Sequence, residues 1–160
     1  MKPIQQWFYE YGQSHQNQTN KLIHWICVPL IFFSIIGLLA SIPCEPLKML
    51  FAPQLRPFVH IGTIVILAGL LFYLRLSGTM FLGMAIVCAA VLWLVYLADT
   101  QTDAPLWLIS IVVFVLAWVG QFYGHKVEGK KPSFLKDLQF LLIGPAWLLG
   151  LIYRKLGIPY

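Results

Sequence analysis

Four stretches of this chain, Leu22 to Ala40, Phe58 to Leu74, Thr79 to Ala98 and Leu106 to Gly124, contain no Asp, Glu, Lys or Arg. A bilayer's hydrocarbon core, about 30 Å thick, is crossed by about 20 helical residues at a rise of about 1.5 Å each. The four runs therefore predict an all-α integral membrane protein with four transmembrane helices in a single membrane domain. A soluble fold would need polar surface to cover them. The 160 residues are 59% hydrophobic and only 11% charged, which does not supply it. The second run is the shortest, and Arg75 at its end can keep its charged head at the interface while its stem lies in lipid. The first run follows 21 residues that include Trp7, Phe8, Tyr9 and Glu10, unlike the short basic leader of a cleaved signal peptide. Cys27 and Cys88 lie in apolar runs and Cys44 in a loop, so no disulfide framework is expected.

Charge placement predicts orientation, because Lys and Arg in short loops collect on the cytoplasmic side. Lys2, Lys21, Arg75, Lys126, Lys130, Lys131, Lys136, Arg154 and Lys155 fall on one side of the four-span layout, against Lys48 and Arg56 on the other. Both termini are accordingly expected in the cytoplasm, at a bacterial inner membrane or an endoplasmic reticulum. The basic tail satisfies this rule by itself, and it also suits anionic headgroups or a carboxylate-bearing substrate. No nucleic-acid partner is expected, and the oligomeric state is not read from the sequence.

The flanking segments are amphipathic. Ile4, Trp7, Phe8 and Tyr11 recur at helical spacing, predicting an interfacial helix over residues 3–14. Thr19 or Asn20 is the expected N-cap of the helix carrying the first span. After the fourth span, Gly144 and Pro145 interrupt the apolar stretch Leu138 to Ile152. A re-entrant or interfacial hairpin over 133–153 is expected there, with a fifth crossing as the alternative. Gly120 and Gly124 form a small-xxx-small pair suited to close helix packing.

Four histidines are present: His15, His24, His60 and His125. Under the predicted topology His15, His24 and His125 share the cytoplasmic boundary, whereas His60 starts the second span at the opposite face, about 20 Å away. A single boundary histidine is an ordinary polar residue. Three on one side suggest a metal centre, since imidazole is the commonest metal ligand and polar groups at membrane depth are costly unless paired or used. His15 and His24 are nine residues apart and would point to opposite faces of one helix, so a turn within Gln16 to Asn20 is required. Glu128, three residues after His125, is open to three roles: a fourth ligand, a partner orienting an imidazole, or a solvated charge beside the lysines.

Tyr11, His15, Asn20, His24 and Pro29, followed by Trp118, Gln121, Gly124, His125, Glu128 and Pro132, form a pattern that resembles the 2-hydroxy fatty acid dioxygenase family. The resemblance spans nearly the whole chain in layout, with specific motifs in two blocks, Tyr11 to Pro29 and Trp118 to Pro132. It implies an Fe(II)-dependent enzyme that uses dioxygen to shorten a long-chain 2-hydroxy fatty acid by one carbon in membrane lipid. It also implies His15, His24 and His125 as metal ligands and Tyr11, Asn20 and Glu128 as catalytic-site residues. Lys126, Lys130 and Lys131 are placed to attract the substrate carboxylate. Such chemistry needs about three protein ligands on one face, leaving positions for a chelating 2-hydroxy acid and for dioxygen.

Di-iron membrane hydroxylases and desaturases use around eight clustered histidines, more than this chain has. A haem-binding electron carrier with His24 and His125 as axial ligands is one alternative. A non-enzymatic transporter or assembly factor is the other.

Overall fold

The computed structural model describes residues 3–129 and 141–160. It is all-helical, with 79% helix and no strand among the described residues. The elements in chain order are α1 (Ile4–Gly12), α2 (Gln18–Ala40), the short α3 (Glu45–Lys48), a 3-10 turn (Arg56–Phe58), α4 (Ile61–Leu76), α5 (Gly78–Gln101), α6 (Leu106–Glu128) and α7 (Ile143–Leu156).

Three helices, α2, α5 and α6, are long and apolar enough to cross a membrane. Helix α4 has 16 residues, or about 24 Å. It begins later than the expected span because His60 caps it, accepting the Thr63 N–H at 3.2 Å, and the preceding residues form the 3-10 turn. The outward faces are apolar: Leu67, Ile86 and Leu116 are 56%, 73% and 66% exposed. Such contiguous exposed hydrocarbon suits lipid rather than water.

Helix ends follow local chemistry. Asn17, not Thr19 or Asn20, caps α2: its Oδ1 accepts the Thr19 N–H at 2.8 Å and the Asn20 N–H at 3.4 Å. Asn20 already lies inside α2, where its side-chain N–H groups donate to the Ser14 carbonyl and to Glu128. Ser77 ends α4 and caps α5 by accepting the Met80 N–H, so the two helices form a tight hairpin. Gly129 ends α6 at φ 71°, a left-handed conformation that glycine adopts without a Cβ penalty.

The two flanking segments pack on one another. Ile4, Phe8 and Tyr11 on α1 are buried in a cluster with Ile143, Ala146, Trp147 and Leu148 of α7, so this face packs against protein rather than lipid. Gly144 and Pro145 lie in the first turn of α7, where proline's missing N–H costs no intrahelical bond. The earlier part of the expected hairpin, from Ser133 to Phe140, lies outside the described residues. Tyr73 of α4 holds the entry to α7 by donating its hydroxyl to the Leu142 carbonyl.

Helices α2 and α6 run antiparallel at close range. A Cβ at Gly120 would meet Cys27 Sγ at 2.7 Å, one at Gly124 would meet Asn20 Oδ1 at 2.5 Å, and one at Gly37 would overlap Ser110 Oγ. The Gly120 and Gly124 pair thus brings the end of α6 against the start of α2.

Candidate metal centre

His15 sits in the turn between α1 and α2, His24 in the second turn of α2, and His125 in the last turn of α6. All three are buried, at 2%, 1% and 3% exposure. Each offers a ligand atom, and these atoms lie within 4.8 Å of one another. The rings meet edge to face: centroids are 4.2 Å apart for His15 and His24, 5.1 Å for His24 and His125, and 5.6 Å for His15 and His125.

Local structure sets the orientation of two of these rings. His15 Nδ1 lies 2.7 Å from the Tyr11 carbonyl and His24 Nδ1 lies 3.0 Å from the Asn20 carbonyl. A carbonyl only accepts, so Nδ1 carries the proton in both rings and Nε2 keeps the lone pair. That tautomer suits a metal ligand, and the backbone bond to the other nitrogen holds the ring in place. Metal–nitrogen bonds of about 2.0–2.2 Å set neighbouring ligand atoms roughly 3–4 Å apart, which small side-chain rotations reach from the observed spacing. The donor set fits a divalent transition metal such as iron.

Around the rings, Tyr11 stacks on His15 with centroids 4.2 Å apart and planes 13° from parallel. Glu128 closes the turn that carries His15. It accepts the Gln16 N–H at 2.8 Å and the Asn17 N–H at 2.9 Å, while Asn20 Nδ2 donates to it at 3.0 Å and to the Ser14 carbonyl at 3.1 Å. The carboxylate therefore fastens the His15 turn to the helix that carries His125. The turn itself spans Gln13 to Asn17, earlier than the stretch expected from composition, because Asn17 starts α2.

Lys126 follows His125 on an exposed part of α6, and Lys130 and Lys131 lie outside the described residues. His60 is remote. Its neighbour Gly62 approaches the Ile36 carbonyl, twelve residues beyond His24 on α2, or about 18 Å along that helix. Trp147 is a site neighbour that the sequence reading missed: its ring lies 5.5 Å from His15 and 5.2 Å from Tyr11. It comes from α7, and no local spacing signals the approach.

One helical turn further toward the helix middles, an apolar cleft is lined by Val28, Ile31, Trp118, Leu141 and Pro145, with Tyr11 and the buried Gln121 at its edge. Val28 is four residues beyond His24, and Gln121 four before His125. The cleft therefore lies about one helical turn from His24 along α2 and from His125 along α6.

A family model described as 2-hydroxy-palmitic acid dioxygenase Mpo1-like matches residues 1–156 of the chain. No curated protein and no solved structure matches it.

Proposed function

The chain belongs to the 2-hydroxy-palmitic acid dioxygenase Mpo1-like family, and from that premise we propose that it is an iron(II)-dependent dioxygenase that shortens long-chain 2-hydroxy fatty acids by one carbon. The observation that carries this reading is the convergence of three buried histidines, two with Nδ1 tied to backbone carbonyls, beside an apolar cleft.

In this reading His15, His24 and His125 hold the metal. Iron(II) would supply redox chemistry with dioxygen, with positions left open for both reactants. The chain's own residues do the rest. Tyr11 buttresses the His15 ring by stacking on it, and the Asn20 carbonyl holds His24 in its ligating tautomer. Glu128 and the Asn20 side chain keep the His15 turn closed over α6. The narrow cleft beside Val28 and Trp118, about 20 Å³, offers an apolar wall against which the acyl chain lies near the histidines. The remaining chain stays in lipid, whose contact with the protein is the apolar outer surface.

We place four crossings at α2, α4, α5 and α6, with both termini and the histidine cluster on the cytoplasmic side. The excess of Lys and Arg at that end supports this orientation. Helix α4 reaches the far interface with the help of the 3-10 turn before it and local thinning of the bilayer.

The test is oxygen uptake by detergent-purified, iron(II)-loaded protein given 2-hydroxyhexadecanoic acid, with hexadecanoic acid as control. Uptake that needs both iron and the 2-hydroxyl, with a product one carbon shorter, is the expected result. Absence of uptake from protein that has bound iron would overturn the reading.

A further inference from the structure

An open groove of about 360 Å³ is bordered by α1, the turn after it, the start of α2 and α7. Its wall includes His15, Gln13 and Gln16 from the α1–α2 turn, Lys21 from the first turn of α2, and Trp147 and Arg154 from α7. Three features make it more than a surface dent. Its volume lies within the range of small-ligand sites, about 300–1,000 Å³. It reaches a histidine of the metal cluster. Among the described residues, the charged side chains that line it are Lys21 and Arg154, both cationic.

The two cations arrive by helical geometry. Lys21 stands three residues before His24 on the same side of α2, and Trp147, Leu151 and Arg154 form one stripe of α7 at spacings of four and three. Neither Lys21 nor Arg154 has an ion pair or side-chain hydrogen bond among the described residues. Positive charge with no internal partner, facing a groove that ends at a candidate metal ligand, matches an anionic ligand. Arg presents a planar fork suited to a carboxylate, and Lys a point charge.

We propose that Lys21 and Arg154 bind the carboxylate of the substrate in this groove, so that the protein selects a free 2-hydroxy acid over its ester. The proposal rests on the 2-hydroxy acid reading above. The carboxylate is held from the groove side, the carbon bearing the hydroxyl lies at the histidines, and the acyl chain leaves toward the cleft below Tyr11. The two cavities thereby contact the two chemically different ends of one amphipathic molecule.

The experiment is equilibrium binding, followed by tryptophan fluorescence, of 2-hydroxyhexadecanoic acid and its methyl ester to the detergent-solubilised protein without added metal. The acid is expected to bind about tenfold more tightly than the ester, with the difference shrinking as salt is raised. Lys21→Gln and Arg154→Gln should each weaken acid binding about threefold to tenfold without changing ester binding, and the double variant should abolish the preference. Lys21→Arg and Arg154→Lys should retain most of it, which guards against misfolding. Lys155→Gln, a change of a cation outside the groove, should have no effect. Acid binding that survives both glutamine substitutions, or that falls equally with Lys155→Gln, would overturn the groove assignment and leave the dioxygenase reading to the oxygen-uptake test. If the wild-type protein binds neither acid nor ester, both fail.

Discussion

Asn20 donates its side-chain N–H to Glu128 across 3.0 Å, and this bond joins the residue one turn before His24 to the residue three positions after His125. The same carboxylate takes two backbone N–H groups of the turn that carries His15. One acidic side chain thus ties together the three elements that bear the histidines.

Glu128→Ala should lower iron(II) affinity about 10- to 100-fold, the usual cost of removing a group that holds metal ligands in place. Glu128→Gln keeps one acceptor oxygen and should fall between the two. Titration of iron into purified protein measures this. Wild-type affinity in Glu128→Ala would show that the turn closes without the carboxylate.

Substituting each histidine separates site from scaffold. His15→Ala, His24→Ala and His125→Ala should each abolish stoichiometric iron and oxygen uptake. His60→Ala should keep both and lose about 1 kcal/mol of stability, because it removes the cap of α4. Metal analysis and thermal unfolding in detergent report the two effects, and iron loss in His60→Ala would contradict the 18 Å separation.

Close packing of α6 on α2 predicts an overpacking defect with a specific rescue. Gly120→Ala places a methyl 2.7 Å from Cys27 Sγ and should cost about 1–3 kcal/mol. Adding Cys27→Ala removes the clashing sulfur and should restore most of the melting temperature. A double variant no better than Gly120→Ala would show that the strain lies elsewhere.

Tyr73→Phe tests the attachment of α7. It leaves the Leu142 carbonyl without its phenolic donor and should cost about 1–3 kcal/mol. Because α7 carries Trp147 beside Tyr11 and His15, tryptophan emission should shift along with the loss of stability. Unchanged melting and emission would mean that packing alone seats the helix.

Much of this protein is local and therefore legible in the chain itself. Uncharged runs about one bilayer long predict helices, and α2, α5 and α6 form where three such runs lie, because backbone satisfaction inside a helix needs no distant partner. Grouping His15, His24 and His125 apart from His60 also followed from sequence, since position along a spanning helix converts directly into depth.

What the sequence left open was decided by contacts between residues far apart in the chain. Which groups Glu128 meets depended on where the α1–α2 turn fell: two N–H groups of that turn and the Asn20 side chain of α2 donate to it. The aromatic face of α1 had two apolar environments to choose from, and α7 supplied the closer one. Lys21 and Arg154 border one groove only because α7 folds back beside the start of α2, and Trp147 reaches His15 by the same route. Hydropathy and helical period are properties of neighbouring residues, so the chain determined its apolar helices; which side chains meet across helices was determined by tertiary packing alone.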